Sequence, residues 1–294
     1  MTAVSRTAEE RFEGLPEFGY KPNYRAVGDL RLAHLDVGEG APVLMLHGEP
    51  AWSFIWRKVI PAVREAGYRC VVPDHAGFGR SDKPTDPAWQ SLERHVELTS
   101  SLLEELDLRD VSLVLHDWGG PIGLTLALAH PDRIARIVIL DTVIDPREAW
   151  MSEVWVRFRE FIERTEDLPV GELMRGTCFH ELGDDVVAAY EAPFPTPESK
   201  AALRGLPLSV PRSDDKSAGV AADAFYAALG PRLEAVLMLW AEHDVILTLA
   251  SGERLASRIG HRIDHVIPHA GHGLQEDQGP MIGELIAGWL LSGD

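Results

Sequence analysis

The segment from Val111 to His130 constrains the fold of this chain more than any other. Val111-Ser112-Leu113-Val114-Leu115 is a short apolar run that reads as a strand. Pro121 to His130 is a longer Leu/Ala-rich run that reads as a helix. Between them stand His116, Asp117, Trp118, Gly119 and Gly120. The two glycines allow strand and helix to approach closely, and Asp117 sits at the corner. A sharp strand-to-helix turn of this kind holds one side chain on a strained backbone above a sheet. An aspartate there is ionised at neutral pH, with an unperturbed pKa of about 3.9. It can displace a leaving group from carbon directly, forming an ester of its own side chain. On this segment alone two roles stay open to Asp117: nucleophile, or N-cap of the following helix, for which Asp is a favoured residue.

The rest of the chain supplies the context. Leu30–Val37 alternates apolar and polar residues, as a half-exposed strand does, whereas residues 1 to about 29 carry no readable pattern. Val43–Leu46, Arg69–Pro73 and Ile137–Leu140 are short apolar strands, and Trp52–Arg64 and Leu92–Leu106 read as helices. Strands alternating with helices predict a parallel sheet with right-handed crossovers. At Asp141 the pattern breaks. Residues 142 to about 222 hold helical patches, Ala149–Ile162 and Asp184–Tyr190, and the Pro-rich turn 192–197. The sheet resumes at Ala235–Trp240. A helix near Ala250–Ile259, a strand at Ile263–Ile267 and a closing helix at Ile282–Leu291 follow. The expected division is a core at 1–141, an inserted helical cap at 142–222 and a second part of the core at 223–294.

Asp117, Asp244 and His272 each lie just beyond an apolar strand, Asp244 after the sixth. All three therefore belong on the carboxyl edge of the sheet. Their chain order is nucleophile, acid, base, which is the order of the α/β-hydrolase fold. His272 would be the base and Asp244 the acid that orients it. His47-Gly48-Glu49-Pro50 follows the Val43–Leu46 strand, where such sheets place ligand contacts. Its Glu49 backbone N–H, with that of Trp118 after the nucleophile, would form an oxyanion hole. The predicted class is α/β: an α/β-hydrolase fold, its mostly parallel central sheet flanked by helices, with an inserted helical cap.

The chain resembles the haloalkane dehalogenases. The resemblance is carried by His47-Gly48-Glu49-Pro50 with Trp52-Ser53, by Gly77-Phe78-Gly79-Arg80-Ser81-Asp82-Lys83-Pro84 and by Asp117-Trp118-Gly119. Tyr190 with Ala192-Pro193-Phe194-Pro195, and Ala270-Gly271-His272 with Gln275-Glu276, extend it. It implies two steps. Asp117 expels halide from carbon and becomes an alkyl ester, and His272 then activates a water that hydrolyses the ester. The implied partners are a small halogenated aliphatic substrate, halide and water, with no metal or organic cofactor required. The leaving halide needs donors in an apolar setting, which an indole N–H provides. Trp118 is the first. Such enzymes draw a second from the cap or from the residue after His-Gly. That residue is Glu49, an anion that cannot donate, so the second donor is expected from the cap. Cys178 stands where one branch carries its cap Trp, which leaves Trp155 as the substitute, with Trp150 behind it.

Two other readings remain open. An epoxide hydrolase shares the Asp nucleophile but uses two cap tyrosines, for which Tyr190 and Tyr226 are the candidates. A non-catalytic ligand-binding member of the fold would keep the same residues. A net charge of −18, from 28 basic and 46 acidic residues, argues against nucleic acid or an anionic membrane as partner. Only two cysteines occur, and no stretch approaches the roughly 20 apolar residues of a membrane span. A cytoplasmic protein is expected.

Overall fold

A computed structural model describes residues 2–143, 152–210, 223, 225–227 and 235–293. One sheet holds β1 (Asn23–Val27), β2 (Leu30–Val37), β3 (Pro42–Leu46), β4 (Arg69–Pro73), β5 (Val111–His116), β6 (Ile134–Leu140), β7 (Val236–Ala241) and β8 (His265–Ile267). The spatial order is β1-β2-β4-β3-β5-β6-β7-β8. β2 is antiparallel to both β1 and β4, and every other neighbouring pair is parallel. The carboxyl ends of β3, β5, β6, β7 and β8 therefore line one edge.

The α-helices are α1 (Ile60–Glu65), α2 (Leu92–Glu105), α3 (Gly119–Ala129), α4 (Glu153–Arg164), α5 (Val170–Arg175), α6 (Asp184–Glu191), α7 (Ala201–Ser209), α8 (Leu249–Arg258) and α9 (Leu274–Ser292). Both sheet faces are covered, which is why the central strands are continuously apolar. Alternation along each strand sorts the residues into two cores. Met45, Val114 and Leu140 face α1 and α9 through Val63, Ile282 and Ile286. Leu46, Leu115 and Ile139 face α2, α3 and α8 through Leu103, Leu126 and Leu255. The helices inserted between β6 and β7 join the first core through Ile162, Val170, Met174, Tyr190 and Leu203.

Several expectations change in detail. The unreadable first 29 residues contain β1, an edge strand whose residues are mostly exposed and so carry no apolar alternation. Asp244 consequently follows the seventh strand rather than the sixth. The expected helix over 52–64 splits into a 3-10 turn (Ser53–Lys58) and the short α1. The closing helix begins at Leu274, since Gln278 leaves helical geometry and absorbs Pro280 as a kink. The expected boundary at 222 lies outside the described residues. No helix among the described residues is long and apolar enough to cross a membrane.

Buried histidines mark this fold. Burial lowers His47 and His95 to about 3 and His116 to about 4, so all three are neutral in the folded state. The unfolded chain binds those protons near pH 6.5. Stability is thus lost as pH falls from about 6.5 toward 3–4, by about 1.4 kcal/mol per pH unit for each such histidine. His95 Nε2–H donates to Gln90 (2.9 Å), a bond an amide can replace. Urea unfolding at pH 6 and pH 4 is therefore expected to show a shallower acid loss in His95→Gln than in the wild type. Equal slopes would contradict this assignment.

Candidate active site

The loop after β3 is fixed from behind by imidazoles. His47 Nδ1–H donates to the Gly48 carbonyl (2.8 Å), and its Nε2 accepts the His75 backbone N–H (3.0 Å). This aims the next residue at the elbow: Glu49 N–H donates to Asp117 Oδ1 at 2.8 Å. A Cβ on Gly48 would lie 2.2 Å from Asp117 Oδ1, so only glycine admits the approach. The Glu49 carboxyl is itself buried, and neither of its oxygens has a hydrogen-bond partner. Burial, reinforced by the charge of Asp117, raises its pKa well above the usual range. The expectation that Glu49 is an anion is corrected here: a buried carboxyl beside a carboxylate keeps its proton.

Asp117 follows β5 with φ 49°, a left-handed conformation that is strained for a residue with a side chain. Gly119 lets α3 start against β3, because a Cβ there would lie 2.2 Å from the Leu46 carbonyl oxygen. The Asp117 carboxylate does not serve as an N-cap. It takes the Glu49 N–H on Oδ1, and Oδ2 stands 3.4 Å from His272 Nε2. The side chain remains 16% exposed, which leaves a face open to a substrate. Trp118 is the residue before α3, half-buried against the first core.

His272 lies on the loop after β8, with its Nδ1–H donating to Asp244 Oδ2 at 2.7 Å. Asp244 Oδ1 accepts the N–H groups of Ile246 (2.7 Å) and Leu247 (2.9 Å). His116 Nε2–H donates to the His272 carbonyl (3.0 Å) and steadies that loop. Burial pushes the charged forms toward neutrality, yet mutual attraction wins. Burial opposes ionisation of Asp117 and Asp244, but the bond and charge of His272 bring both below the ordinary range. Burial likewise lowers His272, and the two carboxylates more than reverse it, lifting it well above the ordinary value. Mutual attraction thus favours the charged form of all three groups.

The structure thus gathers Asp117, Asp244, His272, Glu49 and Trp118 at one sheet edge. Trp155 is buried on α4, with its backbone N–H on Ser152 (3.1 Å) and its ring 5.9 Å from the Arg159 guanidinium. These contacts lie within the insertion and join it to none of the other site residues. Trp150 lies outside the described residues. Cys178 packs against the His272 loop, its Sγ 4.0 Å from the Gly273 carbonyl oxygen. Tyr190 Oη–H donates to Glu276 (2.5 Å), while Tyr226 belongs to the opposite core. One neighbouring residue escaped the sequence reading. Asp141 follows β6 and is fully buried, bringing a polar atom within 4.8 Å of Asp244 and His272. It carries the same strand-end signal as Asp117 and Asp244, but served there only to mark the break in the pattern.

Comparison with known proteins shows the fold and the family. A family model described as the alpha/beta hydrolase fold matches residues 41–278. A haloalkane dehalogenase of Psychrobacter cryohalolentis is 34% identical, the match covering 98% of each chain. Haloalkane dehalogenase 1 of Mycobacterium tuberculosis is 38% identical over 97% of this chain and 98% of its own. Among solved structures, a tetrameric haloalkane dehalogenase from Paraglaciecola agarilytica superposes with a TM-score of 0.87. It is 33% identical and covers 96% of this chain and 97% of its own.

The loop carrying His272 is anchored by the first turn of α9. Asp277 accepts the Gly271 N–H (2.9 Å), and Glu276 is buried in a fork from Arg57, whose Nη2 lies at 2.9 Å. Lys58 adds a second cation at 3.0 Å. Glu276→Ala leaves Arg57 buried without its partner, an effect worth about 3–5 kcal/mol. Denaturant unfolding should register a loss of that order, and a loss below about 1 kcal/mol would show that the fork does not hold the loop.

Proposed function

This chain belongs to the haloalkane dehalogenases of the α/β-hydrolase fold, and from that membership we propose that its strand-end cluster hydrolyses haloalkanes to alcohol and halide. The observation that carries the reading is a carboxylate at positive φ, held by a backbone N–H and facing an imidazole backed by a second carboxylate. Asp117 Oδ2 attacks the halogen-bearing carbon and halide departs with the bonding pair. Oδ1, already on the Glu49 N–H, becomes the carbonyl oxygen of the ester. Water adds to the ester carbon, and the charge that develops on Oδ1 rests on the N–H groups of Glu49 and Trp118. One such donor is worth about 10²–10³ in rate. The alcohol leaves with the former Oδ2, and the water oxygen completes the regenerated Asp117.

Esterification also prepares the base. It erases the charge of Asp117, one of the two that hold the proton on His272. With that charge gone the imidazole gives up its proton more readily, and a free Nε2 can take one from the attacking water. The alkyl ester is thus the state in which His272 becomes a base.

We assign the leaving halide to the indole N–H of Trp118, with Trp155 as second donor from the insertion. A protonated Glu49 is a donor too, so the second donor no longer has to come from the inserted helices. Helices α4–α7 act as a cap over the strand ends. The acidic surface and the two free cysteines support a cytoplasmic enzyme acting on small uncharged molecules rather than on nucleic acid or membrane. The epoxide reading is not favoured. The Tyr190 hydroxyl is committed to Glu276, and Tyr226 packs on the other side of the sheet under the Arg258 guanidinium.

Asp117→Ala is expected to abolish bromide release from brominated alkanes without unfolding, and retained turnover would remove Asp117 from the mechanism. His272→Gln should complete the first step only. Mass spectrometry is expected to find the alkyl group on Asp117, and an unmodified protein after exposure would refute the two-step scheme. Trp118→Phe removes a hydrogen bond to an anion, worth about 1.5–3 kcal/mol, or roughly 10- to 150-fold in the rate of halide release. Wild-type release rates in that variant would exclude the indole as a halide donor.

A further inference from the structure

The cluster at the ends of β5, β6 and β7 contains one carboxyl that the reaction above does not use. Asp141 leaves β6 with φ 28° and is fully buried. Its Oδ1 accepts the backbone N–H of Ala241 at 2.9 Å, which ties the carboxyl to the last residue of β7. Its Oδ2 is buried with no hydrogen-bond partner. Asp141, Asp244 and His272 each place a polar atom within 4.8 Å of the other two. Asp244 has filled its own oxygens, Oδ1 with two backbone N–H groups and Oδ2 with the imidazole.

Two carboxyl groups this close in a dry site do not both ionise. Burial, and then the charge of Asp244, keep the proton on Asp141. Asp244 carries the charge because the bonds and charge of His272 and two N–H donors favour its anion. The arrangement is conditional on Asp244 being an anion. Without that charge, Asp141 is the remaining carboxyl beside the same imidazolium.

We propose that Asp141 is a reserve acid of the triad: it shares one negative charge with Asp244 and becomes the charged partner of His272 when Asp244 cannot be. This rests on the triad reading above. Asp141 acts as a positioning residue through the imidazole and touches no substrate. The change involves no bond other than O–H: Asp141 gives its proton to solvent and the pair keeps a single charge.

The test compares Asp244→Asn with Asp244→Asn/Asp141→Asn on a brominated alkane, following bromide release, the lifetime of the alkyl adduct on Asp117, and the downfield proton resonance of His272 Nδ1–H. Circular dichroism checks folding, and Asp244→Ala offers a second way to remove the charge. The single variant is expected to hydrolyse its adduct within about 100-fold of the wild-type rate and to keep the downfield resonance. The double variant should accumulate adduct as His272→Gln does and lose the resonance. A single variant that stalls as completely as the double one, in a wild-type background that releases bromide, overturns the reserve acid and leaves the triad standing. A wild type that releases no bromide defeats the triad reading itself. Infrared spectroscopy tests the resting state without touching Asp244. The protonated-carboxyl absorption at neutral pH, to which Glu49 also contributes, should lose one component in Asp141→Asn, and an unchanged spectrum means that Asp141 holds no proton, which defeats the proposal.

Discussion

Four ionisable groups meet at the ends of three adjacent parallel strands and one neighbouring loop, where little water reaches them. Asp117, Asp141, Asp244 and His272 must settle their charges among themselves. His272 draws Asp117 and Asp244 toward their charged forms, while burial and the charge of Asp244 push Asp141 toward its neutral one. An isolated ion would not survive such burial, whereas a hydrogen-bonded set does. Asp117 is thereby drawn toward its ionised form in a place that favours neutral groups. Only part of its charge is taken up by donors, Oδ1 by the Glu49 N–H and Oδ2 by the imidazole at 3.4 Å.

The scaffold serves this arrangement. Parallel strands bring their carboxyl ends to one edge, so groups far apart in sequence become neighbours. Glycine at 48 lets the β3 loop close onto Asp117, and buried neutral imidazoles brace that loop. On the other side, the first turn of α9 grips the His272 loop through Glu276 and Asp277. Each support acts on backbone position, which sets the hydrogen-bond lengths of the site.

Much of this is legible in the sequence because one simple signal recurs. A polar residue within a few positions of the end of a short apolar strand lies on the working edge, and Asp117, Asp244, His272 and Glu49 all carry that signal. What escapes has physical causes. β1 is an exposed edge strand and shows no alternation. The start of α9 is hidden by Pro280, which the helix absorbs as a kink. The protonation of Glu49 depends on burial next to another carboxylate, a fact of three dimensions alone. Asp141 looks like a boundary until β7 is laid beside it.

The central claim is that Asp117 itself forms the bond to carbon. A single turnover in ¹⁸O-labelled water, with enzyme in excess over a bromoalkane, tests it most directly. The account predicts alcohol carrying ordinary oxygen, taken from the aspartate, and one ¹⁸O in the peptide containing Asp117. Labelled alcohol from the first turnover, with unlabelled Asp117, would mean that water attacks the substrate carbon directly and would contradict the account.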